Sequence, residues 1–130
     1  MRAVCRALSL AFTVVALAGC ETLAEESVIS SDVKVRADSG PMAGALIRSD
    51  LTQDLLGGLM YRYRAVNHSG VPVCARATLI STSASNYSFG GARLVPVGAT
   101  VELGYADDGS MVEYDLWPVN ASGACGYPPG

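Results

Sequence analysis

Strict alternation of apolar and polar residues recurs along this chain and restricts its fold more than any other feature. Leu59, Tyr61, Tyr63 and Ala65 alternate with Met60, Arg62, Arg64 and Val66. Val73, Ala75, Ala77 and Leu79 form a second such set. Val101, Leu103 and Tyr105 alternate with Glu102 and Gly104, and Val112, Tyr114 and Leu116 with Glu113 and Asp115. Successive side chains of a strand point to opposite faces, so a period of two gives a ribbon with one apolar face. Val33, Val35 and Ala37 repeat the pattern against Lys34 and Arg36, and Ala43 to Arg48 supplies another strand. Asp38-Ser39-Gly40-Pro41 is a turn. Leu94-Val95 before Pro96-Val97-Gly98 reads as a short edge strand and a turn.

Turn chemistry suggests which strands are neighbours. A three-residue loop, His68-Ser69-Gly70 with Gly70 left-handed, would make a hairpin that sets Tyr63 opposite Ala75 and Tyr61 opposite Ala77. A type I′ loop at Asp108-Gly109 would make a second, with Tyr105 opposite Val112 and Leu103 opposite Tyr114. In both, the apolar faces coincide, as a common core requires. Asp50 to Leu56 fits a short helix, with Asp50 as N-cap, Gln53 at the third position and Gly57-Gly58 as the stop. The whole predicts an all-β fold, a small immunoglobulin-like β-sandwich of about seven strands. The likeness is one of architecture, without the immunoglobulin spacing of cysteine and tryptophan.

The N-terminus carries a different signal. Arg2 and Arg6 precede an apolar run from Ala7 to Ala18 that ends in Leu17-Ala18-Gly19-Cys20. The layout is that of an export signal, and the run is shorter than the roughly twenty residues of a membrane-spanning helix. Leu17-Ala18-Gly19-Cys20 resembles the lipobox of bacterial lipoproteins. The resemblance implies a diacylglycerol on the Cys20 thiol, cleavage before Cys20, and acyl chains such as palmitate as the membrane anchor. It implies a signal peptide at 1–19, a lipidated tether at 20–31 and a β-sandwich at 32–130. Glu21, where an aspartate would favour the inner membrane, implies the outer membrane, facing the periplasm. An ordinary signal cleaved after Ala18 would instead leave three cysteines, an odd number for an oxidising compartment. Lipidation of Cys20 leaves one pair, Cys74 with Cys125. Closing a loop of about 50 residues, that pair would contribute roughly 4 kcal/mol.

Loss of Arg2 and Arg6 takes the nine basic residues to seven against twelve acidic ones, a net charge of −5. A nucleic-acid partner would need a cationic face instead. A single histidine, His68, in a predicted turn gives no metal site, and no nucleotide-binding or hydrolase motif occurs, so neither an enzyme nor a cofactor is expected. In the predicted hairpins Arg62, Arg64 and Arg76 share one outer face, with Arg62 opposite Arg76 and Cys74 opposite Arg64. Glu102, Glu113 and Asp115 share the other. Like charges directly opposite are unfavourable. The two sets therefore screen each other or meet a partner. The three arginines, with Tyr87 and Phe89 from a polar connection, are the candidate contacts of an envelope scaffold or protein-binding module. Ser83-Ala84-Ser85-Asn86-Tyr87 also resembles the serine-containing loop of small lipoproteins that inhibit lysozyme, although their lysine-containing motif is missing. An inhibitor of a secreted hydrolase is the alternative function, and a ligand carrier a third.

Overall fold

A computed structural model describes residues 26–128; Cys20 and the export signal lie outside the described residues. Eight strands are present among them: β1 (Glu26–Arg36), β2 (Ala45–Asp54), β3 (Leu59–Asn67), β4 (Val73–Thr82), β5 (Tyr87–Phe89), β6 (Arg93–Val95), β7 (Thr100–Ala106) and β8 (Ser110–Pro118). They form two antiparallel sheets, ordered β1-β2-β3-β7-β5 and β6-β4-β8. β1 begins inside the stretch read as a tether, and it stays largely exposed. Residues 26–27 and Gln53–Gly58 fall in a small unit apart from the main one. Within the small unit Asp54 Oδ1 accepts the amides of Leu56 and Gly58 at 2.9 and 2.8 Å, and Gly57 takes a φ of 85°.

The alternation is borne out, but the pairing is not. From β3 onward every connection crosses to the opposite sheet. β3 pairs with β7, and β4 with β8. Each predicted hairpin is therefore an arch whose two strands face each other across the core. Tyr63 lies opposite Gly104, Ala75 opposite Leu116, and Ala77 opposite Tyr114. Neither Gly70 nor Gly109 takes the positive φ that the hairpin loops needed; Gly40, Gly44, Gly57, Gly98 and Gly123 do. Two adjacent pairs split between two sheets, β3/β7 and β4/β8, repeat the central connectivity of an immunoglobulin-type sandwich.

No helix forms at 50–56. β2 runs on to Asp54, because Asp50 and Thr52 have partners that only a strand can reach. Asp50 is held by Ser31, Arg48 and Arg64, and Thr52 Oγ1 donates to the Met60 carbonyl at 3.0 Å. Tertiary partners outweigh local capping preference.

The core is built from Ala45 and Ile47 of β2, Tyr63 and Ala65 of β3, Val73, Ala75 and Ala77 of β4, Val95 of β6 and Leu103 of β7, with Val112, Tyr114 and Leu116 of β8 packed on it. Alanines leave room for rings: Tyr63 lies 5.4 Å from Phe89 and 6.1 Å from Tyr114, centroid to centroid. Burial, with Tyr63 and Asp32 nearby, pushes the Tyr114 hydroxyl up to about 12.

One inward assignment fails. β7 carries an extra residue, since Tyr63 faces Gly104 while Arg64 faces Glu102. The bulge turns Tyr105 outward, where the Arg62 guanidinium lies 5.6 Å from its ring centre. It also sets Gly104 between Tyr63 on one neighbouring strand and Phe89 on the other. A Cβ on Gly104 would meet the Phe89 ring at 2.5 Å and the Ser88 carbonyl oxygen at 2.8 Å. The second contact is with backbone and cannot turn aside. Gly104→Ala should therefore destabilise the domain by about 2 kcal/mol. Gly90→Ala, with nothing within 4 Å of its Cβ, should stay within about 0.5 kcal/mol of the parent. Urea denaturation of the two variants checks both values.

Candidate functional site

The arginines do not share a face. Arg62 and Arg64 lie on the outer face of the five-stranded sheet, whereas Arg76 lies outside the three-stranded one. Arg62 sits opposite Tyr105, not Arg76, and pairs with Glu102 at 3.3 Å. Arg76 sits opposite Asp115 and pairs with it at 2.9 Å, its guanidinium 5.8 Å from the Trp117 ring centre. Two members of each charge set thus screen each other by direct contact, one pair on each sheet.

Sequence reasoning missed the anchor of this arrangement. Asp50 is 1% exposed, under two arginines. Arg48 Nε donates to Asp50 Oδ1 at 3.0 Å, Arg64 Nη1 to Oδ2 at 3.0 Å and Ser31 Oγ to Oδ1 at 2.7 Å. Burial pushes the carboxyl up, but the Ser31 hydroxyl and the charges of Arg48 and Arg64 outweigh it and hold the pKa below the ordinary value. An acid whose folded pKa is depressed stabilises the fold above its unfolded pKa of about 3.9, and that stabilisation fades as pH falls through the folded value. Asp50→Asn should cost about 2 kcal/mol at pH 7 through weakened bonds to charged donors. Its deficit should shrink below pH 4, as denaturation of parent and variant at pH 7 and pH 2.5 will read.

Cys74 and Cys125 are joined, their Cα atoms 5.7 Å apart. Cys74 is fully buried opposite Trp117 and Leu94, and not opposite Arg64. The bridge therefore straps the C-terminal segment across the outside of β4 and β8. Asn120 Oδ1 accepts the amides of Ser122 and Ala124 at 3.0 Å, and Trp117 Nε1 donates to the Gly126 carbonyl at 3.2 Å.

Tyr87 and Phe89 part company. Phe89 packs on the core, while Tyr87 is half exposed on the three-residue strand β5. The loop before them is tied to the turn between β7 and β8: Ser83 Oγ donates to Asp108 at 3.0 Å and Ser85 Oγ to Asp107 at 2.9 Å.

His68 has an exposed side chain, and its amide donates to the Gly44 carbonyl at 2.9 Å. Its neighbour Asn67, fully buried, is a hub. Nδ2 donates to the carbonyls of Val71 and Val95 at 2.8 and 3.0 Å, and Oδ1 accepts the Ser69 amide at 2.9 Å and its hydroxyl at 2.6 Å. Its backbone bonds Ala99 and Gly98. Among the described residues no cluster of histidine, cysteine or acids could hold a metal.

Both sheets have open margins among the described residues. Each ends in one short strand and one long one. β5 and β6 have three residues; β1 has eleven and β8 nine. Short edges resist pairing with another chain, whereas long ones present a row of backbone donors and acceptors. Among the described residues β1 pairs only with β2, and β8 only with β4. Comparison with known protein families, with curated proteins and with solved structures finds no match for this chain.

Proposed function

We propose that this chain is a lipid-anchored bacterial envelope protein whose sandwich is a protein-binding or scaffold module. The observation that carries it is the nine-residue edge of β8, which no strand covers among the described residues. An extended segment of another envelope protein laid along β8 would gain backbone hydrogen bonds, with side-chain pockets supplying selectivity. Glu113, exposed on that strand, favours a segment with a basic residue. The arginines first singled out are poorer candidates, because their charge is spent on Asp50, Glu102 and Asp115. The membrane address rests on Leu17-Ala18-Gly19-Cys20, and the outer membrane is the destination that Glu21 favours.

Two experiments test the reading. A photo-crosslinking residue at Met111, 63% exposed on β8, should give a discrete adduct with one envelope protein in intact cells. The same residue at Ser88 on β5 should give none. Equal adducts at both positions, or none at Met111, would sink the edge reading. A radiolabelled fatty acid should enter the parent and not Cys20→Ser; label in both, or in neither, would refute the anchor.

A further inference from the structure

The turn between β2 and β3, Asp54-Leu55-Leu56-Gly57-Gly58, carries two large apolar side chains where polar residues and glycine usually dominate. Leu55 is 71% exposed and Leu56 97%. The turn that presents them is closed on itself. Asp54 Oδ1 accepts the amides of Leu56 and Gly58, and the Asp54 carbonyl accepts the Gly57 amide at 3.1 Å. The Gly58 carbonyl accepts the Asp54 amide at 2.9 Å, and the Gly57 carbonyl accepts the Gln53 side-chain amide at 3.5 Å. Backbone groups satisfied in this way can leave water without the cost of unpaired donors and acceptors.

The place of the turn matters as much as its composition. β1 and β2 are antiparallel neighbours, so Glu26 at the start of β1 lies at the same end of the ribbon as Asp54 at the close of β2. Residues 26–27 and Gln53–Gly58 share one small unit. Cys20 precedes Glu26 by six residues, a stretch that spans at most about 20–22 Å. A lipid on Cys20 therefore keeps this end of the ribbon close to the bilayer. The charges nearest to it along the sequence, Glu21, Glu25, Glu26 and Asp54, are all acidic. Attraction to anionic lipid headgroups is thus absent, and a contact with lipid has to be apolar.

We infer that Leu55 and Leu56 insert into the headgroup–acyl boundary of the bilayer that carries the Cys20 lipid, as a second membrane contact beside the anchor. The inference rests on the lipid-anchor reading and is independent of any partner at β8. Apolar side chains of interfacial segments reach about 5–10 Å into that boundary.

The test uses the full chain, matured in cells, purified and reconstituted in phosphatidylcholine vesicles. Leu56→Cys carries an environment-sensitive fluorophore. Val97→Cys, 55% exposed in the parent on the turn between β6 and β7, carries the same fluorophore as the control. Lipid spin-labelled just below the headgroup should quench the label at 56 roughly fivefold more strongly than the label at 97, as burial at the boundary requires. Adding Leu55→Asp should bring quenching at 56 down to the level at 97. The chain should stay on the vesicles in that variant, because the lipid on Cys20 still holds it. Equal quenching at 56 and 97, quenching indifferent to Leu55→Asp, or quenching lost in high salt would each overturn the inference. An acyl group found on Cys20 by mass spectrometry of the same preparation would then leave the anchor reading standing. A chain without that acyl group overturns both.

Discussion

Replacing Cys74 and Cys125 together by alanine should lower the stability of the domain by about 4 kcal/mol, a fall in Tm of roughly 20 °C. The bridge spans 51 residues, and a cross-link over such a loop removes much of the freedom of the unfolded chain. Here it has a second role. The tail it holds carries Gly126, whose carbonyl accepts the Trp117 indole N–H. Without the bridge, Trp117, now 2% exposed, would lose both its hydrogen bond and its cover. Fluorescence of the chain's one tryptophan therefore reports the loss directly. Reduced parent protein should match the double variant in urea midpoint and emission maximum. A loss under 1 kcal/mol would mean that the tail is held by other contacts.

The second large effect belongs to Asn67. Asn67→Ala removes the side-chain donor to the buried Val95 carbonyl and the acceptor of the Ser69 amide and hydroxyl, while the Val71 carbonyl keeps only the Ser69 hydroxyl. Each orphaned group costs about 1–3 kcal/mol, so a total loss of about 3 kcal/mol is expected after relaxation. Asn67→Asp sharpens the test. An ionised carboxylate can accept from Ser69 but has nothing to donate to Val71 and Val95, so at pH 7 it should be at least as damaging as alanine. Facing two carbonyls while buried, the introduced carboxyl has its pKa raised, and a group of that kind loses stability as pH rises through it. Asn67→Asp should thus recover as pH falls from 7 to 5, where Asn67→Ala does not. Parallel thermal melts across that range decide.

Alternation alone makes the strands and most of the core legible in the sequence. Tyr63, Ala65, Val73, Ala75, Ala77 and Leu103 all point inward as the pattern requires. Pairing is not legible, for a geometric reason. A tight turn reverses the chain whether it joins neighbours in one sheet or arches between two sheets, and the inward faces meet either way. The local pattern at residues 59–79 fits both. What separates them is non-local: Asn67 binds Val95, 28 residues on, and Arg62 binds Glu102, 40 residues on. Tyr105 is misplaced by alternation because a bulge changes parity without any mark in composition, although Gly104 beside it is a residue that bulges favour. Asp50 resembles a cap because its local neighbours suit one; its real partners, Ser31 and Arg64, are 19 and 14 residues away. The disulfide follows from counting cysteines, which needs no geometry at all.

The crossing of every connection after β3 bears on how quickly the chain becomes native. No strand from β4 to β8 gains a backbone partner by closing the turn next to it. Arg76 must find Asp115 39 residues later, and Arg62 must find Glu102 before either sheet has a centre. Long loops must close before they are rewarded, which places such a topology among slow folders, on the scale of milliseconds to seconds. The consecutive strands β1 to β3 can pair early, but β4 has no backbone partner until β6 or β8 reaches it from across the chain.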